Sequence, residues 1–153
     1  MRYLSIGYYL SCFSPVLSMI LFFVGPGFVH DDWLFSIIML TVVHMSVMGV
    51  QILGLVLFFV GHRKGESIPF KEWTIFFSVF LILWGSLVSF GAIGWYNELL
   101  EWSRLPEVRN LTIWDHMEYA TWALKGLLWI ASGLIFIGVS YFQSSKSKLQ
   151  KPS

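Results

Sequence analysis

His44 is the residue best placed to do chemistry in this chain. It lies inside the stretch from Trp33 to Val60, which contains no Asp, Glu, Lys or Arg. A polar ring in hydrocarbon is costly, so it calls for a partner or a task. Thr41, His44, Met48 and Gln51 follow one another at i, i+3, i+7 and i+10, which is one face of a helix. Such a face could hold haem b or copper through an imidazole nitrogen, or line a path for a solute or proton. It could equally hydrogen-bond to Ser or Thr on neighbouring helices, as polar residues in membrane bundles often do. The last reading carries more weight, because His62 and His116 fall at opposite helix ends, away from the level of His44. A bis-histidine haem within one chain is therefore not expected.

Two further groups have the right residue types for chemistry. His30, Asp31 and Asp32 in one connection and Asp115, His116 and Glu118 in another could share zinc or copper if the two met. Neither has the close histidine spacing of a helical metal motif. Lys125 is the one formal charge in the apolar part of helix 4, from Tyr119 to Phe142. It could contact an anion, but its place near a helix end favours a stem that snorkels outward to water.

The elements that must position these residues are long apolar helices. Hydrophobic residues make up 56% of the 153 residues and charged residues 12%, against roughly 25% in a soluble domain. Mean hydropathy is +0.69. A chain of this composition needs the bilayer as its solvent. The apolar run after Arg2 continues to Val24, too far for a signal peptide, and reads as a first helix. Four spans are expected, at about 3–24, 33–60, 73–96 and 113–142, followed by a short basic tail over 143–153. Together they define an all-α integral membrane protein, a bundle of four transmembrane helices forming one domain over 1–142.

Local signals support those boundaries. Pro15 lies within helix 1 and should kink it. Glycines mark the end of helix 2 at 61–65, and Thr112 to Asp115 has the form of a capping box opening helix 4. Gly7, Ser11, Ser14 and Ser18 fall on one face of helix 1; Ser78, Gly85, Ser89 and Ala92 do so on helix 3. Small residues on one face let helix backbones approach closely in lipid. Both stripes are expected to be packing seams.

Charge suggests an orientation. Arg2, Arg63, Lys64, Lys71, Lys146, Lys148 and Lys151 gather on one side, whereas most acids fall on the other. The positive-inside rule then puts both termini and the 61–72 connection in the cytoplasm. The tail over 143–153 is expected to be disordered.

Several functions are disfavoured. Cys12 is the single cysteine, so an internal disulfide, a CxxC redox pair and an all-thiolate metal site are excluded. The sequence has no nucleotide-binding loop, nucleophile elbow or metalloprotease motif. A formal charge of +1 offers no attraction to nucleic acid. The expectation is a small non-catalytic membrane subunit, not an enzyme, in the bacterial cytoplasmic (inner) membrane. It would pack with partner membrane helices or with itself, in an assembly, sensor or immunity-type role. A small channel or transporter using the His44 face is the runner-up, and a haem- or copper-binding redox subunit the third reading.

Overall fold

The computed structural model describes residues 2–24, 33–68, 71–105 and 110–149. It is all-helical: α1 (Tyr3–Val24), α2 (Trp33–Arg63), α3 (Lys71–Trp102) and α4 (Ile113–Leu149). Each is long and apolar enough to cross a membrane.

Three helices outrun their expected ends. α2 continues to Arg63, α3 spans Lys71 to Trp102, and α4 reaches Leu149 rather than 142. The expected boundaries followed the apolar runs, but helical hydrogen bonding does not stop where polarity begins. Glu98, Leu99, Leu100 and Glu101 are all good helix formers and carry α3 onward. Residues 143–149 are likewise a helical continuation of α4, which corrects the expectation of a disordered tail beginning at 143.

The ends are capped by specific groups. Gly65 adopts a left-handed φ of 75°, a conformation that favours glycine. Glu66 N–H then reaches the Gly61 carbonyl at 3.1 Å and Gly65 N–H the His62 carbonyl at 3.0 Å, closing α2 in a Schellman motif. The Glu66 carboxylate accepts from the backbone N–H groups of Tyr3 and Leu4, at 3.2 and 2.7 Å, and so caps α1. Gln143 ties the same end from α4, donating to the Glu66 carbonyl at 3.2 Å and accepting from Ile68 N–H at 3.0 Å. At α4 the Asp115 carboxylate accepts from both the N–H and the hydroxyl of Thr112, each at 2.8 Å. This is the acidic half of the expected capping box.

Two hairpins make the bundle. α1 lies along α2, α3 lies along α4, and the hairpins join mainly through α2 and α4. Gly7 and Gly54 bring α1 and α2 into backbone contact, and Gly85 and Gly126 do the same for α3 and α4. The small-residue stripes of α1 and α3 therefore pack within their own hairpins and against α4, not against each other. α1 and α3 touch only lightly. They approach where the Tyr8 hydroxyl donates to the Trp73 carbonyl at 3.5 Å. An apolar core closes that end, with Phe58 and Tyr8 ring centroids 4.6 and 5.2 Å from Phe136.

Candidate functional site

The parallel pair α2 and α4 carries matching residues seven apart. On α2 these are His44, Gln51 and Phe58; on α4 they are Trp122, Trp129 and Phe136. Seven residues make nearly two full helical turns, about 10.5 Å of rise, so each set stays on one face. The consequence is three stacked layers inside the bundle. Phe58 and Phe136 form the apolar layer; the other two layers are polar.

The middle layer joins Ser14, Gln51, Trp129 and Ser132. Trp129 Nε1–H donates to the Ser14 hydroxyl at 2.8 Å, and that hydroxyl bonds to Gln51 Oε1. Gln51 Nε2–H donates to the Ser132 hydroxyl, which donates to the Leu128 carbonyl at 2.7 Å. Each group thus has a role that matches its chemistry as donor or acceptor. Ser14 Oγ also lies 3.1 Å from the Ser11 carbonyl. That carbonyl is the one left without its helical partner by Pro15, so the proline and the serine act together. Gln51, Ser14 and Ser132 are all fully buried.

The second polar layer is the candidate site. Lys125 is only 3% exposed, and its Nζ lies 3.0 Å from His44 Nδ1 and 2.9 Å from the Ser18 hydroxyl. Trp122 Nε1–H points at His44 Nε2, with the two rings edge-on at 84° and centroids 5.1 Å apart. The indoles of Trp122 and Trp129 stand 5.8 and 5.4 Å from Nζ, within reach of cation–π attraction. The expected outward snorkel of Lys125 is not found. Its stem turns inward, because Ser18 on α1 and His44 on α2 sit at its level and offer hydrogen-bonding atoms.

Hydrogen-bond chemistry restricts what this layer can do. An indole N–H can only donate, so His44 Nε2 must accept. The proton of a neutral imidazole then sits on Nδ1, facing Lys125. With the Trp122 N–H taken up by Nε2, His44 Nδ1–H and Lys125 Nζ bring N–H groups to one spot, and among the described residues no carboxylate joins them. The layer is rich in donors and short of acceptors.

A cavity of about 410 Å³ opens beside it, where α1 and α3 diverge. Lys125, Ser18 and His44 form its polar end. Met19 lines it from α1, and Trp84, Leu87, Val88 and Trp95 from α3. Trp84 stacks on Phe80 at an interplanar angle of 8°, and its own N–H is buried without an acceptor among the described residues.

The other sequence candidates take separate places. Thr41 is buried but turns its hydroxyl to the Ile37 carbonyl of its own helix at 2.9 Å. Met48 is half-buried. Of the expected polar face, His44 and Gln51 bond to residues on other helices, and they serve different layers. Ser78, Gly85 and Ser89 lie on the α3–α4 seam, where Ser89 Oγ donates to the Ala123 carbonyl at 3.1 Å, and Ala92 lines the cavity. In the outer cluster, His30, Asp31 and Asp32 lie outside the described residues. Asp115 is engaged with Thr112, and His116 Nδ1 pairs with the Tyr96 hydroxyl at 2.7 Å. Glu118 is half-buried, one turn before Trp122. No group of three or more metal-ligating side chains occurs among the described residues. At His44 the residues do not suit haem or copper either, since both ring nitrogens already face N–H groups.

Trp122 and Trp129 are site residues that single-helix reasoning missed. Their signal was the seven-residue step shared by α2 and α4.

Fold and site thus define a four-helix protein with apolar spans and a buried donor cluster beside a lateral cavity. No protein-family model, curated protein or solved structure matches the chain.

Proposed function

We propose that this chain is a small non-catalytic integral membrane subunit, of assembly, sensor or immunity type. It works by packing its outer helix faces against partner membrane helices or against copies of itself. One observation carries this reading. Gly7, Gly54, Gly61, Gly85, Gly126 and Gly133 are all used in contacts inside the bundle, whereas Gly49, Gly94 and Gly138 have no atom within 4 Å of where a side chain would begin. Facing lipid, a glycine contributes less apolar surface than any other residue. Facing another helix, it allows close approach. The basic residues near both termini and in the 61–72 connection support cytoplasmic termini in a bacterial inner membrane.

Purification from native membranes in mild detergent tests the proposal. A stable complex larger than the monomer is expected, and Gly94→Leu should shrink it without altering the monomer's melting temperature. A chain that stays monomeric at every protein concentration and brings down no partner would overturn it.

A channel or transporter is the second reading, favoured by the two polar layers stacked between Ser18 and Ser132. The Tyr8–Phe58–Phe136 layer closes that column at one end. Solute or ion flux into liposomes decides this reading. A haem subunit would require Trp122 or Lys125 to release His44, and a Soret band in the purified protein is its test.

A further inference from the structure

We propose that the cavity between α1 and α3 binds a long-chain carboxylic acid, its carboxylate on Lys125 and its chain running out between the helices toward lipid. This inference does not depend on the packing role.

The polar end of the cavity indicates an acceptor. Lys125 Nζ brings donors, His44 presents Nδ1, and the Ser18 hydroxyl stands 2.9 Å away, with no described carboxylate to balance them. Isolating a cationic side chain in hydrocarbon is expensive, and a ligand carboxylate supplies the missing opposite charge with a charge-assisted hydrogen bond. A neutral carbonyl would accept a hydrogen bond but balance no charge. Should the lysine receive an undissociated acid instead, the acid's O–H bond breaks and an N–H bond forms on Nζ. The same carboxylate–ammonium pair results.

The rest of the cavity indicates an alkyl chain. Its walls beyond the polar end are Met19, Leu87, Val88 and the indoles of Trp84 and Trp95, all suited to hydrocarbon. A volume of about 410 Å³ falls within the common range for small-molecule sites, roughly 300–1,000 Å³. Size argues against a phospholipid. A diacyl lipid would have to bring a large headgroup and two chains into a cavity of about 410 Å³. A single-chain acid brings one small group.

The test uses the full chain in phosphatidylcholine nanodiscs with radiolabelled palmitic acid as the probe. Saturable binding close to one acid per chain is expected, displaced by unlabelled oleic acid. Methyl palmitate and phosphatidylglycerol should not displace it. Lys125→Met should weaken binding at least about tenfold, the scale of losing a hydrogen bond to a charged group. Gly91→Phe gives an independent variant, because Gly91 lines the cavity with open space beside it. It should abolish binding while keeping the wild-type melting temperature. Displacement by methyl palmitate as effective as by the acid would overturn the proposal, since the carboxylate would then contribute nothing. Equal displacement by phosphatidylglycerol would assign the site to lipid headgroups. Absence of saturable binding, or full binding by Gly91→Phe, would also overturn it. If a variant fails to fold, the ligand series on the unaltered chain still decides.

Discussion

Lys125 Nζ and His44 Nδ1 face each other across the α2–α4 seam at 3.0 Å, both buried. The pair is held from behind by Trp122, whose N–H engages the far nitrogen of the imidazole. The orientation of His44 is thereby set from two sides. Substitutions at this position should separate loss of an acceptor from loss of a ring.

His44→Gln keeps a carbonyl oxygen that can accept from Trp122 and an amide that can reach toward Lys125. It should unfold within about 1 kcal/mol of the unaltered protein, the usual size of an interhelical hydrogen bond in membranes. His44→Leu leaves the Trp122 N–H without its acceptor, and should cost more, on the order of 1–3 kcal/mol. Reversible unfolding in mixed micelles measures both. Equal stability of the two variants would mean that the ring's nitrogens contribute nothing.

Gln51 connects α1 to α4 through Ser14 and Ser132. Gln51→Leu and Ser132→Ala should each destabilise, but the double variant should cost less than their sum. A coupling of at least about 0.5 kcal/mol is expected for residues in one network. Strict additivity in a double-mutant cycle would show that the bond between them carries no energy.

Gly85 and Gly126 sit backbone to backbone on the α3–α4 seam, and a side chain on Gly85 would meet the Gly126 carbonyl. Gly85→Leu must force the helices apart and should lower the melting temperature markedly. Gly94→Leu, in open space on the same helix, should leave it unchanged. Thermal melts followed by size-exclusion chromatography report both, and similar behaviour of the two variants would contradict the seam.

Glu66 caps α1 through two backbone N–H groups. Glu66→Ala should cost roughly 0.5–2 kcal/mol, the range for losing a helix cap. Hydrogen exchange at Tyr3 and Leu4 should rise more than at the centre of α1. Uniform exchange along the helix would show that the carboxylate is not a cap.

Topology is open to a direct check. With Cys12 replaced by serine, cysteines at positions 67 and 103 should label differently in intact cells. An impermeant reagent should reach 103 alone if the basic 61–72 connection is cytoplasmic.

The helices themselves were legible in the sequence, because the causes of a membrane helix lie along the chain. Runs such as 33–60 without formal charge demand internal backbone bonding in lipid, and Thr112 with Asp115 marks a helix start locally. The ends of α3 and α4 were less legible. Apolar composition stops at the lipid boundary, whereas Leu99, Leu100 and Gln143 extend the helices by propensity and by contacts. The importance of His44 and Gln51 followed from their polarity alone. Their partners did not, since His44 meets Lys125 81 positions away and Lys125 meets Ser18 across 107. Only the parallel alignment of α2 with α4 puts Trp122 behind His44 and Trp129 beside Gln51's layer. Only the divergence of α1 from α3 opens a cavity at Lys125. A side chain's direction in a bundle depends on what other helices place at its level, so Lys125 turns inward although its own neighbours in sequence would let it reach water.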